Sequence, residues 1–237
     1  MKVIAKISIK IAALVIIGAA ITACTQQASK SQRQSSIETK SDTSTLEKDK
    51  NKASIKGNIS HNTWEGDAAT SVTFDAFPTT INEWKSIQQK LGCEPQGAVA
   101  LQVMAFELYR NNRTDGEEAL KLNNTSTNYT CTVERLKEIM GKDQYYARPY
   151  IAWAMLEGAT PENGYKADPP FTINMKVDPN KKYQNSQMLH GTVIYLLIDS
   201  KGWDTNWRGV EVVKPEGSDY YVVSNCPAIY TQCKEAK

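Results

Sequence analysis

Apolar positions along this chain change period once. Between about residues 80 and 158 they recur every three to four residues, the spacing of amphipathic helices. From about residue 170 they alternate, the spacing of strands. Thr80-Ile81-Asn82-Glu83 has the form of a capping box and predicts a helix over about 81–91, closed by Gly92. Pro95 opens a second helix over about 96–111. Val99, Val103 and Phe106 share one face of it, while Leu101, Ala105 and Leu108 fill another, so it is expected to be the central buried helix. Thr114 and Glu117 repeat the capping spacing before a short helix ending near Asn123. Thr132 is placed to cap a helix through Met140, with Gly141 as its stop. Pro149 opens a last helix, Tyr150 to Glu157, stopped by Gly158 and followed by the loop Thr160 to Gly164.

Phe171 to Val177 then alternates cleanly, and Asp178-Pro179-Asn180 turns it. His190 to Asp199, Trp207 to Val213 and Tyr220 to Ser224 read as further strands, with Ala228 to Gln232 as a candidate fifth. Ser71 to Phe74 reads as a short strand or as an extended segment packing Phe74 and Phe77 on the core. The links Ser200–Gly202 and Pro215–Ser218 are short, which favours antiparallel neighbours. Helices first and a meander second predict an α+β fold, an N-terminal helical layer packed on a C-terminal antiparallel β-meander of four to five strands. The expected unit is a single globular domain over 61–237, starting near Trp64, without internal repeats.

The first 60 residues follow neither period. Lys2, Lys6 and Lys10 precede the apolar run Ile11 to Ala23, broken only by Gly18 and Thr22. A spanning helix needs about 20 apolar residues, and this run is shorter; it has the length and flanks of a signal-peptide core. It ends in Ile21-Thr22-Ala23-Cys24, which resembles the bacterial lipobox: small residues beside the cut, then a thiol able to take a diacylglyceryl group. Residues 1–23 are therefore read as a lipoprotein signal peptide and Cys24 as the lipidated residue, two acyl chains being what stable anchoring requires. Residues 24–60 are the lipidated cysteine and a disordered tether, because their isolated apolar residues (Ile37, Leu46, Ile55, Ile59) bury too little surface to offset ordering. As a flexible coil, 25–60 would span on the order of 30–36 Å.

Charge follows the same division. The whole chain carries 28 Lys/Arg and 26 Asp/Glu. Residues 1–23 hold three of the bases, and 24–60 hold seven bases and four acids, which leaves 61–237 with 18 bases and 22 acids, a net of −4. A mildly anionic domain lacks the footprint of a nucleic-acid binder, so no nucleic-acid partner is expected. The expected location is the cell membrane or outer envelope, lipid-anchored and extracytoplasmic.

Candidate chemistry is sparse. His61 ends the tether and His190 starts a strand, neither with a nucleophile or metal-ligand spacing beside it. No glycine-rich phosphate loop, CxxC pair, HExxH or GxSxG occurs, so no cofactor or metal is expected and no catalytic residue is assigned. Glu117-Glu118 falls on a helix whose ordinary reading is a solvated face. After Cys24 four thiols remain, Cys93, Cys131, Cys226 and Cys233; in an exported chain they allow three pairings, or stay free and buried. Cys226 and Cys233 are not expected to pair with each other. If extended, the seven steps between them span roughly 23 Å, against the 7 Å a disulfide tolerates.

Aromatic residues concentrate in two places. Tyr145, Tyr146, Arg148 and Tyr150 sit near a helix start, and Trp203, Asp204, Trp207 and Arg208 gather at a turn between apolar strands. Trp beside Arg and Asp forms the kind of surface that binds sugars, peptides or another protein, and these four residues are the candidate ligand site. Core packing with Arg208 and Asp204 merely paired is the competing reading. Strand alternation puts Trp207 and Arg208 on opposite faces.

Four stretches resemble a known family: Pro95 to Leu101, Tyr146 to Tyr150, Gly158 to Tyr165, and Asp204 to Val210. It is an uncharacterised bacterial domain-of-unknown-function family, number six-nine-three-five, often found in lipoproteins. The resemblance covers about 64–235 and implies no known activity and no site residues. The helix-then-meander order is also loosely similar to cone-shaped nuclear-transport-factor-like folds, whose curved sheet lines a pocket. The expectation is a lipoprotein of unknown function, held to the membrane by the lipid on Cys24, acting as a non-catalytic binding or interaction module for a protein or carbohydrate ligand. The alternatives are a hydrolase using carboxylates in a sheet-lined pocket and a structural envelope protein.

Overall fold

Helix α1 (Ile81–Leu91) forms where its cap is encoded: the Thr80 hydroxyl accepts the Glu83 N–H at 3.2 Å, and the Glu83 carboxylate reaches back to the N–H and hydroxyl of Thr79. Helix α2 (Pro95–Asn111) is buried along its whole run from Pro95 to Tyr109, as its all-round apolar pattern demands. Helix α3 (Arg113–Asn123) is capped by Asn112, which accepts the Asp115 N–H, and not by Thr114. Helix α4 (Ser126–Gly141) starts six residues before Thr132, where the Thr125 hydroxyl accepts the Asn128 N–H; Thr132 itself is buried inside the helix. Helix α5 (Tyr150–Trp153) stops short of the expected Glu157, because the Glu157 N–H bonds to the Thr172 carbonyl and Gly158 turns left-handed at φ 81°. This computed structural model describes residues 52–59, 69–141, 150–180, 191–231 and 233–237, all within the compact unit Ser36–Lys237. Residues 1–23, read above as a signal peptide, and Cys24, His61, Tyr145, Tyr146, Arg148 and His190 lie outside the described residues.

Six strands form one antiparallel sheet in sequence order: β1 (Ala53–Lys56), β2 (Thr70–Phe74), β3 (Phe171–Val177), β4 (Gly191–Asp199), β5 (Trp207–Pro215) and β6 (Val222–Asn225). The α+β class holds, and the count of four to five strands is corrected to six. Strand β1 lies within the 24–60 stretch read as tether. It was missed because only Ala53 and Ile55 face the core while Ser54 and Lys56 face solvent, the sparse alternation of an edge strand. The candidate strand Ala228 to Gln232 is instead a 3-10 turn at Pro227–Ile229. Pro227 has no N–H to give a ladder, and the Ile229 N–H closes onto the Cys226 carbonyl.

One face of the sheet meets the helices. Val72 and Phe74 on β2, Phe171, Ile173 and Met175 on β3, Ile194, Leu196 and Ile198 on β4, and Val210 and Val212 on β5 are all buried there against residues of α2 such as Met104 and Phe106. A nuclear-transport-factor-like order suggested a pocket on this face, and core side chains fill it. Helices α2 and α3 approach closely at Gly116, where a Cβ would sit 2.1 Å from the Tyr109 Cα. Behind β6 a buried polar cluster joins the layers. The Gln102 carbonyl oxygen accepts from Asn123 and Asn124 at 3.0 and 2.8 Å, and the Cys226 thiol lies 3.4 Å from Asn128 Nδ2. Burial pushes the Cys226 thiol up to about 12, against the pull of its Asn128, Thr132 and Gln102 hydrogen bonds. The outer edge of β6 is occupied by the α3–α4 junction, where the Thr125 N–H reaches the Val223 carbonyl at 3.0 Å.

Candidate functional site

The four residues singled out at the β4–β5 turn do not form one cluster. Trp203 lies in the bend between the strands, only 8% exposed, with its indole nitrogen unpartnered among the described residues. Arg208 lies on the helix-facing side, its guanidinium 5.0 Å from the Trp203 ring centre. It donates to the Ala228 carbonyl at 2.8 Å and to Thr205 and Thr231, and burial lowers its pKa. Asp204 is almost fully exposed and pairs with Lys234 at 3.1 Å, so the Arg208–Asp204 pair of the competing reading does not form. Trp207 stands on the opposite face from Arg208, as alternation requires, and is 38% exposed. Trp203 and Arg208 therefore belong to the packed end of the domain, and Trp207 belongs to the outer surface of the sheet.

Around Trp207 the outer surface is built by register. Residues directly opposite in antiparallel strands share a face, with Cβ atoms about 4.5–5.5 Å apart. Asp199 stands opposite Trp207, Leu197 opposite Gly209, Tyr195 opposite Glu211, and Lys176 opposite Leu197. The Lys176 ammonium lies 4.0 Å over the Trp207 ring. Gly209 leaves a bare strip beside that ring, since no atom comes within 4 Å of where its Cβ would be. Burial, then the adjoining Glu211 carboxylate, holds the Tyr195 phenol above its ordinary pKa.

Next to this strip the sheet opens. Strands β3 and β4 pair only over Met175–Val177 with Leu196–Ile198. Beyond that the turn after α5 wedges between them, with Ala154 O accepting from the Ser200 hydroxyl at 2.7 Å and the Lys201 N–H at 3.4 Å. The wedge leaves an open cavity of about 140 Å³, floored by Met155 and Leu156 and rimmed by Glu157, Gly158, Asn174, Asp199, Ser200 and Lys201. Lys201 Nζ holds the Asp199 carboxylate at 3.0 and 3.4 Å. Sequence reading missed these rim residues. Their one signal is that Asn174 and Asp199 occupy outward positions of alternating strands. What brings them together is a splay set by a distant turn.

Among the described residues no group of three or more His, Cys, Asp or Glu is placed to hold a metal ion, and no helix is long and apolar enough to cross a membrane. Cys131 and Cys226 are free thiols, and no disulfide joins Cys226 to Cys233, although the 3-10 turn at Pro227–Ile229 makes the stretch between them shorter than the extended run assumed from the sequence. Tyr150 of the second aromatic group stacks on Tyr165, ring centres 4.9 Å apart.

An antiparallel meander covered by helices on one face, with an aromatic and polar strip on the other, defines an α+β domain whose candidate site is a surface rather than an interior pocket. No curated protein and no solved structure matches the chain. Residues 76–237, two thirds of the sequence, match the family described as Domain of unknown function (DUF6935), and the chain belongs to that family.

Proposed function

We propose that this protein is a lipid-anchored, extracytoplasmic, non-catalytic binding module whose ligand meets the outer face of the sheet around Trp207. The anchoring half of the reading rests on the basic, apolar and lipobox sequence ending at Cys24. The observation that carries the binding half is Trp207 itself. It is a large aromatic side chain left 38% exposed at the end of β5 on the outer face of the sheet, beside Lys176 and Asp199, whereas the other tryptophans of the described residues are buried or half-buried. Trp203, Asp204 and Arg208 support the strip from below or beside it and are not its contact residues. The test is a photo-crosslinking residue at position 209 in the intact, membrane-bound chain, with position 122 on α3 as control. A defined adduct at 209 and none at 122 supports the reading; equal labelling at both, or none at 209, overturns it. A hydrolase is the second reading, favoured by the two carboxylates Glu157 and Asp199 on one cavity rim. The Lys201 ion pair weighs against it, because it occupies the Asp199 oxygens that such chemistry needs free.

A further inference from the structure

We propose that the strip from Asn174 across Asp199 and Trp207 to Gly209 binds a saccharide, one sugar unit lying on Gly209 and Trp207 with its hydroxyls turned to the β3–β4 cavity; this rests on the binding-module reading above.

Gly209 is the first reason. Glycine inside a strand weakens it, and it usually marks a bulge, a bend or the close approach of another molecule. At Gly209 the first two do not apply. Its register with Leu197 is regular, the irregularity of β5 falls later at Glu211/Val212, and its φ is not positive. Nor does the domain crowd it, since nothing lies within 4 Å of its missing Cβ. What the absent side chain does create is a flat gap bordered by the Trp207 indole, Leu197 and Glu211. That leaves the approach of an outside molecule.

The surroundings select the class of molecule. Trp207 and Leu122 are the large hydrophobic residues exposed among the described ones, and they stand on different elements. The described residues therefore present no wide apolar patch for a protein or lipid partner. A peptide adding a strand needs a free sheet edge. Beside Trp207 and Gly209 one side of β5 is paired with β4. On the other side, short of the β6 pairing at Glu211–Val213, the Pro227–Ile229 turn lies against the strand, with Arg208 donating to the Ala228 carbonyl. The cavity, at about 140 Å³, falls below the roughly 300–1,000 Å³ of sites for larger apolar ligands. It holds the volume of roughly five waters, and its rim offers acceptors at Glu157 and at the Asp199 lone pairs left over by Lys201, a donor at Lys201 and both at Asn174. A polyhydroxylated ring replaces such waters hydroxyl for hydroxyl, while its C–H face needs one aromatic surface. Trp207 supplies that surface with the ring face turned away from Lys176, whose ammonium covers the other face 4.0 Å from the ring centre.

The experiment uses the full chain in detergent against immobilised neutral, amino and acidic saccharides of defined structure, followed by calorimetry with the soluble form of any that is retained. One class of saccharide is expected to bind. Trp207→Ala and Gly209→Arg are each expected to weaken it at least ten-fold at an unchanged melting temperature, and Leu122→Ala to leave it intact. Should Trp207→Ala lower the melting temperature, Gly209→Arg carries the test, because the new side chain enters open space. Retention of no saccharide, or binding that survives both variants, overturns the proposal. A protein or lipid adduct at position 209 without saccharide binding overturns the sugar and leaves the binding module standing; absence of both overturns both.

Discussion

Trp203 looked like a ligand residue from its neighbours in sequence, and its burial makes a different, quantitative demand. A buried tryptophan removes about 150–250 Å² from water, which at about 25 cal/mol/Å² is worth about 4–6 kcal/mol. The Arg208 guanidinium 5.0 Å from the ring adds about 1 kcal/mol. Against this stands the unpartnered indole nitrogen, whose burial costs about 1–3 kcal/mol. Trp203→Ala removes all three terms, for a net loss of about 4 kcal/mol. In a chain of this size each kcal/mol moves the melting temperature by about 2–4 °C, so a fall of about 8–16 °C is expected. Trp203→Phe keeps most of the apolar contact and deletes the orphan donor, and it should stay within about 1 kcal/mol of the parent. Thermal melts of the two variants separate the terms. A melting temperature for Trp203→Ala within about 2 °C of the parent, or equal losses in both variants, would refute the core assignment.

Cys24→Ala should move the protein from the membrane to the soluble fraction or block its maturation; unchanged detergent-dependent partitioning would contradict lipid anchoring. With its pKa near 12 against an ordinary 9.0, the Cys226 thiol holds about 1,000-fold less thiolate at pH 8, so iodoacetamide should label Cys131 and spare Cys226 until the chain unfolds. The same shift makes stability complete below about pH 9 and lost towards about pH 12, because the unfolded chain gives up that proton first; the unfolding free energy from denaturant titrations should fall by about 1.4 kcal/mol per pH unit across that window. Gly116→Ala forces α2 and α3 apart against backbone and should cost about 1–3 kcal/mol, so an unchanged melting temperature would show that the contact is not tight. Limited proteolysis should leave a resistant fragment that retains Ala53–Lys56, and a fragment starting near residue 65 would deny β1 its place in the sheet.

Legibility in the sequence followed how local the determinant was. Helix α1 was readable to the residue because Thr80 and Glu83 mark its start chemically, and α2 because it is apolar all round. Strand β3 was readable because alternation is strict where one face is buried, and β4 because it is a long apolar run bounded by turn residues. Alternation also separated Trp207 from Arg208. It said nothing of Trp203, which lies in the aperiodic bend 201–206 and is buried by contacts with distant residues. Strand β1 was hidden because two inward residues among Ser and Lys give too weak a pattern. The cavity was hidden because it exists only where the turn after α5 parts β3 from β4. Family membership was legible from four short stretches, and it carried no activity with it.

The pairing of β2 with β3 sets the order in which this molecule can be made. The Thr70 hydroxyl bonds to the Met175 carbonyl across 105 residues of sequence. Closing a loop of that length costs about 4 kcal/mol in chain entropy before any contact is gained. A ribosome delivering the chain from its N-terminus exposes β1 and β2 long before their partner emerges, and the two strands face solvent as an isolated hairpin that is marginal on its own. The intervening helices shorten the effective loop when they collapse, so docking of β2 on β3 waits for them. The amino-terminal third of the sheet therefore cannot become native before β3 is made, and a chain truncated anywhere before residue 171 has no way to complete it.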